Sequence, residues 1–207
     1  MTMHINILIR ETDAPIPDMK DLHWAGVDRG VYLLLEAGVT PLFTYGDFDS
    51  ISEAERRYIE EKLDINPVES EKDDTDLEIA LLDLAGKGYA SIDVYGATGG
   101  RLDHLFGNVQ LLLNPDLAGV GIRIIDPQNV LELLGEGEHA PVRDGRMKYV
   151  SFIPVFQNTV LTLDGFKYPL DSSRLTLGST LTISNEFTHE KAYVKTSQPI
   201  LMIQSND

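Results

Sequence analysis

The stretch SIDVYGATGGRLDHLFGNV, residues 91–109, changes its period in the middle. Ser91 to Gly96 is a short apolar run carrying β-branched and aromatic residues, which reads as a strand. After Gly99-Gly100 the spacing becomes helical. Leu102, Leu105, Phe106, Val109, Leu112 and Leu113 fall at i, i+3, i+4, i+7, i+10 and i+11, one face of a helix. Asn114-Pro115 closes it, because the residue before a proline is pushed away from helical angles. The unit is therefore strand, glycine turn, helix.

Working outward, the same alternation fills the first two thirds of the chain. Ile5 to Arg10, Trp24 to Asp28, Pro41 to Gly46 and Ile122 to Asp126 read as further strands. Ser50-Ile51-Ser52-Glu53 and Thr75-Asp76-Leu77-Glu78 are capping-box patterns ahead of helices over Arg56 to Leu63 and Ile79 to Leu84. Strands alternating with helices imply βαβ units and a mostly parallel, Rossmann-like sheet. From about Glu136 the pattern becomes turn-rich. Lys148 to Val155, Thr159 to Leu163, Thr180 to Ser184, Ala192 to Lys195 and Ile200 to Ile203 read as β segments with no helical period between them. We expect an α/β domain over residues 1–138 and a small all-β, sandwich-like domain over 139–207.

Composition narrows the function classes. The 207 residues carry 33 acidic and 17 basic side chains, a formal charge of −16, which argues against nucleic acid or an anionic membrane as the main partner. The chain has no cysteine, hence neither a disulfide framework nor a thiolate zinc site. No apolar run approaches the roughly 18 residues of a membrane span, and the first strand is too short for a signal peptide. A soluble, cytoplasmic protein is expected. The five histidines, at 4, 23, 104, 139 and 189, show no metal-ligand spacing.

Acids and glycines gather where the strands end: Asp28-Arg29-Gly30, Gly46-Asp47-Phe48-Asp49-Ser50, Gly96 to Asp103, and Asp126. In open α/β sheets the ligand crevice lies outside the carboxyl ends of the strands, so these segments should share one rim. Glu71-Lys72-Asp73-Asp74-Thr75-Asp76 precedes the second capped helix. Taken alone, that run is an ordinary solvated face and helix start, since helix N-termini favour acids. Several like charges in one crevice repel unless something neutralises them. A divalent cation would, and magnesium suits oxygen-only donors whose octahedron is completed by water and phosphate.

Gly99 and Gly100 allow close backbone approach, the following helix offers unpaired N–H groups, and Arg101 adds a planar fork suited to phosphate oxygens. Asp103 and His104, a turn further on, can face the same crevice as acceptor and donor. A plain βα turn with Arg101 paired to a nearby carboxylate is the simpler alternative. Ser184-Asn185-Glu186 ends a β run with three hydrogen-bonding side chains, which taken alone read as an ordinary polar hairpin turn.

Taken in order, Gly46 to Ser50, Glu71 to Asp76, Gly96 to His104, Gly165-Phe166-Lys167-Tyr168-Pro169-Leu170 and Ser184-Asn185-Glu186 resemble the motifs of the thiamine pyrophosphokinase family. The likeness spans nearly the whole chain. It implies transfer of the pyrophosphoryl group of ATP to the hydroxyl of thiamine, releasing AMP, by a homodimer whose thiamine pockets lie at the subunit interface. It also implies magnesium on Asp49, Asp73 and Asp76 with Glu71. ATP would be held by Asp28, Arg29, Asp47, Ser50, Thr98, Gly99, Gly100, Arg101 and His104. Thiamine would meet Asp103, Ser184, Asn185 and Glu186. Asp49, Asp73, Asp76, Arg101 and Asp103 are the expected catalytic group, with Asp103 or Asp76 orienting the attacking hydroxyl. Asp28-Arg29-Gly30 departs from the Asp-Gly-Gly run frequent in relatives.

Two other readings compete. Asp47-Phe48-Asp49-Ser50 after an apolar strand also suits the aspartyl-phosphate nucleophile of a haloacid-dehalogenase-like phosphatase, which leaves the Gly-Gly-Arg turn and the β domain without a role. A non-catalytic sensor of a nucleotide or thiamine derivative would use the same acids for affinity alone.

Overall fold

Near-continuous apolar strands belong in a parallel sheet covered on both faces. The computed structural model describes residues 2–19, 22–49, 51–63 and 74–207. Strands β1 (Met3–Leu8), β2 (Trp24–Val27), β3 (Phe43–Tyr45), β4 (Tyr89–Tyr95) and β5 (Gly121–Ile125) lie in the order β3-β2-β1-β4-β5, and each neighbouring pair is parallel. Helices α1 (Arg29–Glu36), α2 (Glu53–Lys62), α3 (Asp76–Gly86) and α4 (Leu102–Leu111) complete this unit. Its core includes Ile5, Ile7, Ala25, Leu34, Leu84, Ile92 and Val94, all inaccessible to solvent, and the lone tryptophan, Trp24, is buried with them.

Two local expectations shift. The capping box of α2 is Ser52–Glu55 rather than Ser50–Glu53: Ser52 Oγ accepts from the Glu55 N–H, and the Glu55 carboxylate accepts from the Ser52 N–H at 2.8 Å. Phe48 is buried against Val31 and Ile59, and Ile51, just ahead of the cap, packs beside them. Helix α4 forms where its period puts it, and Leu111 and Leu112 are buried, but Leu102 and Phe106 are 68% and 65% exposed. Periodicity identified the face without saying what covers it.

The chain divides into two compact units, Met1–Pro127 and Gln128–Asp207. The division falls ahead of the position near residue 138 where the sequence pattern changes, because Asn129–Leu134 forms a strand, β6, that pairs with the chain's last strand. The second unit continues with β7 (Gly137–His139), β8 (Tyr149–Pro154), β9 (Thr159–Asp164), β10 (Leu170–Leu175), β11 (Tyr193–Thr196) and β12 (Ile200–Ser205). Strand β12 lies antiparallel between β6 and β8, and β10-β9-β11-β7 forms a separate antiparallel sheet. Val150, Phe152 and Met202 from the one and Leu161, Leu163 and Val194 from the other share a single core. The expected strand over Thr180 to Ser184 is instead a turn. The buried Thr182 hydroxyl donates to the Phe152 carbonyl and Ser184 adopts φ 58°, so side-chain bonding and a left-handed residue replace the ladder.

Candidate functional site

The first acidic segment begins where β2 ends. Asp28 takes φ 49°, a left-handed conformation costly for a residue with a Cβ, and its N–H donates to the Tyr45 carbonyl at 2.9 Å. Against it lies Gly46, the residue after β3. A Cβ on Gly46 would stand 2.2 Å from Asp28 Oδ1, and its φ is +119°, so glycine is required twice over. Next, Phe48 turns into the core at φ 60°, leaving Asp47 half-buried and Asp49 exposed on either side. The Asp49 N–H closes the turn on Asp47 Oδ1 at 3.0 Å.

Asp76 comes from elsewhere in the chain, as the first residue of α3, where Thr75 caps the helix by accepting from the Glu78 N–H. Helix α3 is tied to β3 by Tyr45, whose hydroxyl donates to Asp83 at 2.6 Å. The result is convergence: one carboxylate oxygen from each of Asp28, Asp47 and Asp76 lies within 4.8 Å of the others, all three half-buried. Asp49 stands beside them. The charge of Asp47, a shared hydrogen bond with it, burial and the charge of Asp76 together hold the Asp49 carboxyl above the usual carboxylate range. Carboxylates this close, contributed by three separate segments with oxygen donors only, suit a small hard cation such as magnesium.

Asp28, expected at the nucleotide, stands with Asp47 and Asp76 in the cluster, whereas Asp49 is its neighbour. Ser50, Glu71 and Asp73, which the sequence also put at the site, lie outside the described residues. Arg29, expected at the nucleotide, donates from its guanidinium to Glu55 at 2.9 Å and to Glu11 at 2.9 Å.

At the end of β4 the glycine turn forms as read, with Gly96, Gly99 and Gly100 all at positive φ. Thr98 is half-buried and Gly99 and Gly100 are exposed. Asn108 on α4 donates to the Ala97 carbonyl at 2.8 Å, fixing the turn to the helix that follows it. Arg101 and Asp103 form a two-point pair, at 3.1 and 2.5 Å, on the exposed start of that helix. That pairing is the simpler reading of Arg101, and it holds the Asp103 carboxyl below its usual range, with the His104 N–H at 2.9 Å contributing. An acid so stabilised in its charged form is a weak proton acceptor. His104 presents an exposed side chain.

One residue of this rim escaped the sequence reading. Arg10, two residues beyond the end of β1, donates from Nη1 to the Gly99 carbonyl at 3.3 Å, and a Cβ on Gly96 would lie 2.6 Å from the Arg10 carbonyl oxygen. An arginine at a strand end gives no signal until the strand order shows which loop it faces.

In the second unit, Asn185 is buried, and its carboxamide accepts from the Tyr168 N–H at 3.0 Å and donates to the Tyr168 carbonyl at 2.8 Å. Glu186 accepts from Lys167 at 2.7 Å, which holds its carboxyl below the usual range. Ser184 is exposed, its N–H donating to Ser151 Oγ at 3.0 Å. A cleft of about 350 Å³ lined by Val142, Arg143, Phe187, Thr188, His189 and Glu190 opens beside this turn.

Two domain families match in the order expected: thiamin pyrophosphokinase, catalytic domain, over residues 19–124, and thiamin pyrophosphokinase, vitamin B1 binding domain, over residues 139–201. The thiamine pyrophosphokinase of Bacillus subtilis (strain 168) is 44% identical over 211 residues, covering 98% of this chain and 99% of the relative. The chain belongs to the thiamin pyrophosphokinase family. The crystal structure of thiamin pyrophosphokinase from Geobacillus thermodenitrificans superposes with a TM-score of 0.87 at 43% identity, covering 99% of this chain and 98% of that one. A family protein from Enterococcus faecalis reaches 0.89 at 30% identity, with 99% of each chain covered. Neither the phosphatase nor the sensor reading gains support from these relatives.

Proposed function

We propose that this protein is a thiamine pyrophosphokinase: it moves the terminal pyrophosphoryl group of ATP to the hydroxyl of thiamine, giving thiamine diphosphate and AMP. The observation that carries the reading is 44% identity to an enzyme of that name across essentially the whole chain. The convergence of Asp28, Asp47 and Asp76 at the carboxyl edge of the parallel sheet supports it.

In this reaction the thiamine hydroxyl oxygen bonds to the β-phosphorus while the bond from that phosphorus to the oxygen bridging it to the α-phosphorus breaks, so that oxygen leaves on AMP, and the hydroxyl proton passes to solvent. Magnesium, held by Asp28, Asp47 and Asp76 with Asp49 beside them, would neutralise charge on the polyphosphate. The protein's own work is alignment and charge stabilisation. The glycine turn and the first N–H groups of α4 receive phosphate oxygens, with Thr98 at its flank. Arg101 turns its fork from Asp103 to phosphate, and Asp103, released, orients the hydroxyl. His104 borders the nucleotide.

Thiamine carries a permanent positive charge, so an acidic rim attracts it along with the metal. In the β unit, Ser184 and Glu186 offer an exposed hydroxyl and a half-buried carboxylate to the aminopyrimidine, and Asn185 shapes the turn that presents them. The working form is a homodimer, which a mass measurement in solution tests directly.

Purified protein incubated with ATP, magnesium and thiamine should yield AMP and thiamine diphosphate. ADP, free phosphate alone or unchanged ATP would each overturn the assignment.

A further inference from the structure

The strand order β3-β2-β1-β4-β5 reverses direction at β1. The chain runs outward from β1 through β2 to β3, then returns to the other side of β1 with β4. The crevice of such a sheet opens at that reversal, between the loops that follow β1 and β4. Those loops are Arg10-Glu11 and the glycine turn.

Arg10 is built into the turn. Its Nη1 reaches the Gly99 carbonyl at 3.3 Å, a Cβ on Gly100 would stand 2.7 Å from the same nitrogen, and one on Gly96 would stand 2.6 Å from the Arg10 backbone oxygen. The adjacent Glu11 points the other way, to Arg29 beside the acidic cluster, at 2.8 Å. Two consecutive residues therefore join the glycine turn to the segment that carries Asp28.

The chemistry of Arg10 sets it apart from other arginines of this unit. Arg29, Arg101 and Arg123 are each paired with carboxylates. Arg10 is half-buried, makes one long bond to a neutral carbonyl and has no carboxylate partner among the described residues, in a chain with 33 acids. A guanidinium whose remaining N–H groups stay uncommitted beside a helix start and a glycine turn matches the planar oxygens of a phosphate.

We propose that Arg10 is a phosphate-binding residue of the ATP site, contacting the polyphosphate from the β1 side while the glycine turn and α4 receive it from the β4 side. This rests on the pyrophosphokinase reading for the identity of the nucleotide. It makes Arg10 the fixed cation of the site, whereas Arg101 exchanges Asp103 for substrate.

The test is equilibrium titration of the full chain with ATP and magnesium, alongside titration with adenosine, which has no phosphate. Arg10→Gln keeps a donor for Gly99 and removes the charge. It should weaken ATP binding about tenfold to a hundredfold and leave adenosine binding unchanged. Unchanged ATP affinity overturns the proposal. So does an equal loss for adenosine, which would mean that Arg10 only braces the turn. Should Arg10→Gln fail to fold, Arg10→Met is read by the same two criteria. Wild-type protein that binds ATP but makes no AMP from ATP and thiamine would sink the function reading while leaving Arg10 to be judged by the titration. Wild-type protein that binds no ATP would sink both.

Discussion

Gly46 and Asp28 are packed so closely that no side chain fits between them: a Cβ on Gly46 would lie 2.2 Å from Asp28 Oδ1. The glycine after β3 thereby fixes the carboxylate after β2. Gly46→Ala should displace Asp28 and strain a backbone at φ +119°. We expect a stability loss of about 1–3 kcal/mol and a fall in turnover of about a hundredfold. Thermal melting and steady-state rates on the same preparation check both. Wild-type turnover would show that the position of Asp28 is immaterial.

Asp28→Asn, Asp47→Asn and Asp76→Asn should behave alike, because each removes one of three converging carboxylates. Turnover at fixed magnesium is expected to drop about a hundredfold or more, with a higher magnesium concentration needed for half-maximal rate. A magnesium titration of Asp28→Asn that overlays the wild type would return Asp28 to a purely structural role.

Tyr45 and Asp83 give the fold a pH signature. Burial alone would raise the Asp83 carboxyl, but the hydrogen bonds from Lys87 and Tyr45 outweigh it and hold the group below its usual range. Burial, then the bond to Asp83, pushes the Tyr45 hydroxyl upward. A lowered acid contributes stability above its unfolded value near pH 4 and loses it as pH falls through the folded value. A raised phenol contributes fully below about pH 10. Tyr45→Phe should therefore cost about 1 kcal/mol at neutral pH, discounted for the partial exposure of Asp83. The gap from wild type should close below about pH 4. Denaturant melts across that range test it, and a gap that does not vary with pH would assign the loss to packing.

Asn185 and Glu186 adjoin in sequence and should separate in experiment. Asn185→Ala removes a buried carboxamide that satisfies both backbone groups of Tyr168, costing about 1–3 kcal/mol for each group left bare. Glu186→Gln should leave the thermal midpoint close to wild type and raise KM for thiamine. An unchanged KM would remove Glu186 from the thiamine site.

The sequence by itself determined the local grammar of this protein. The apolar run, glycine turn and helical period at residues 91–109 appear as β4, its turn and α4, and β2, β3, β4 and β5 form where apolar segments end in acids or glycines. Such features depend on neighbours a few residues apart, so period and turn chemistry reveal them. Tertiary structure alone decided which acids meet. Asp28 joins Asp47 and Asp76 because β2 lies beside β3 and Tyr45 anchors α3, and no spacing along the chain encodes that register. It likewise decided that Arg29 is spent on Glu11 and Glu55 while Arg10 faces the glycine turn. A charge acts over a few ångströms of space, and strand order, not sequence distance, sets which charges come that near.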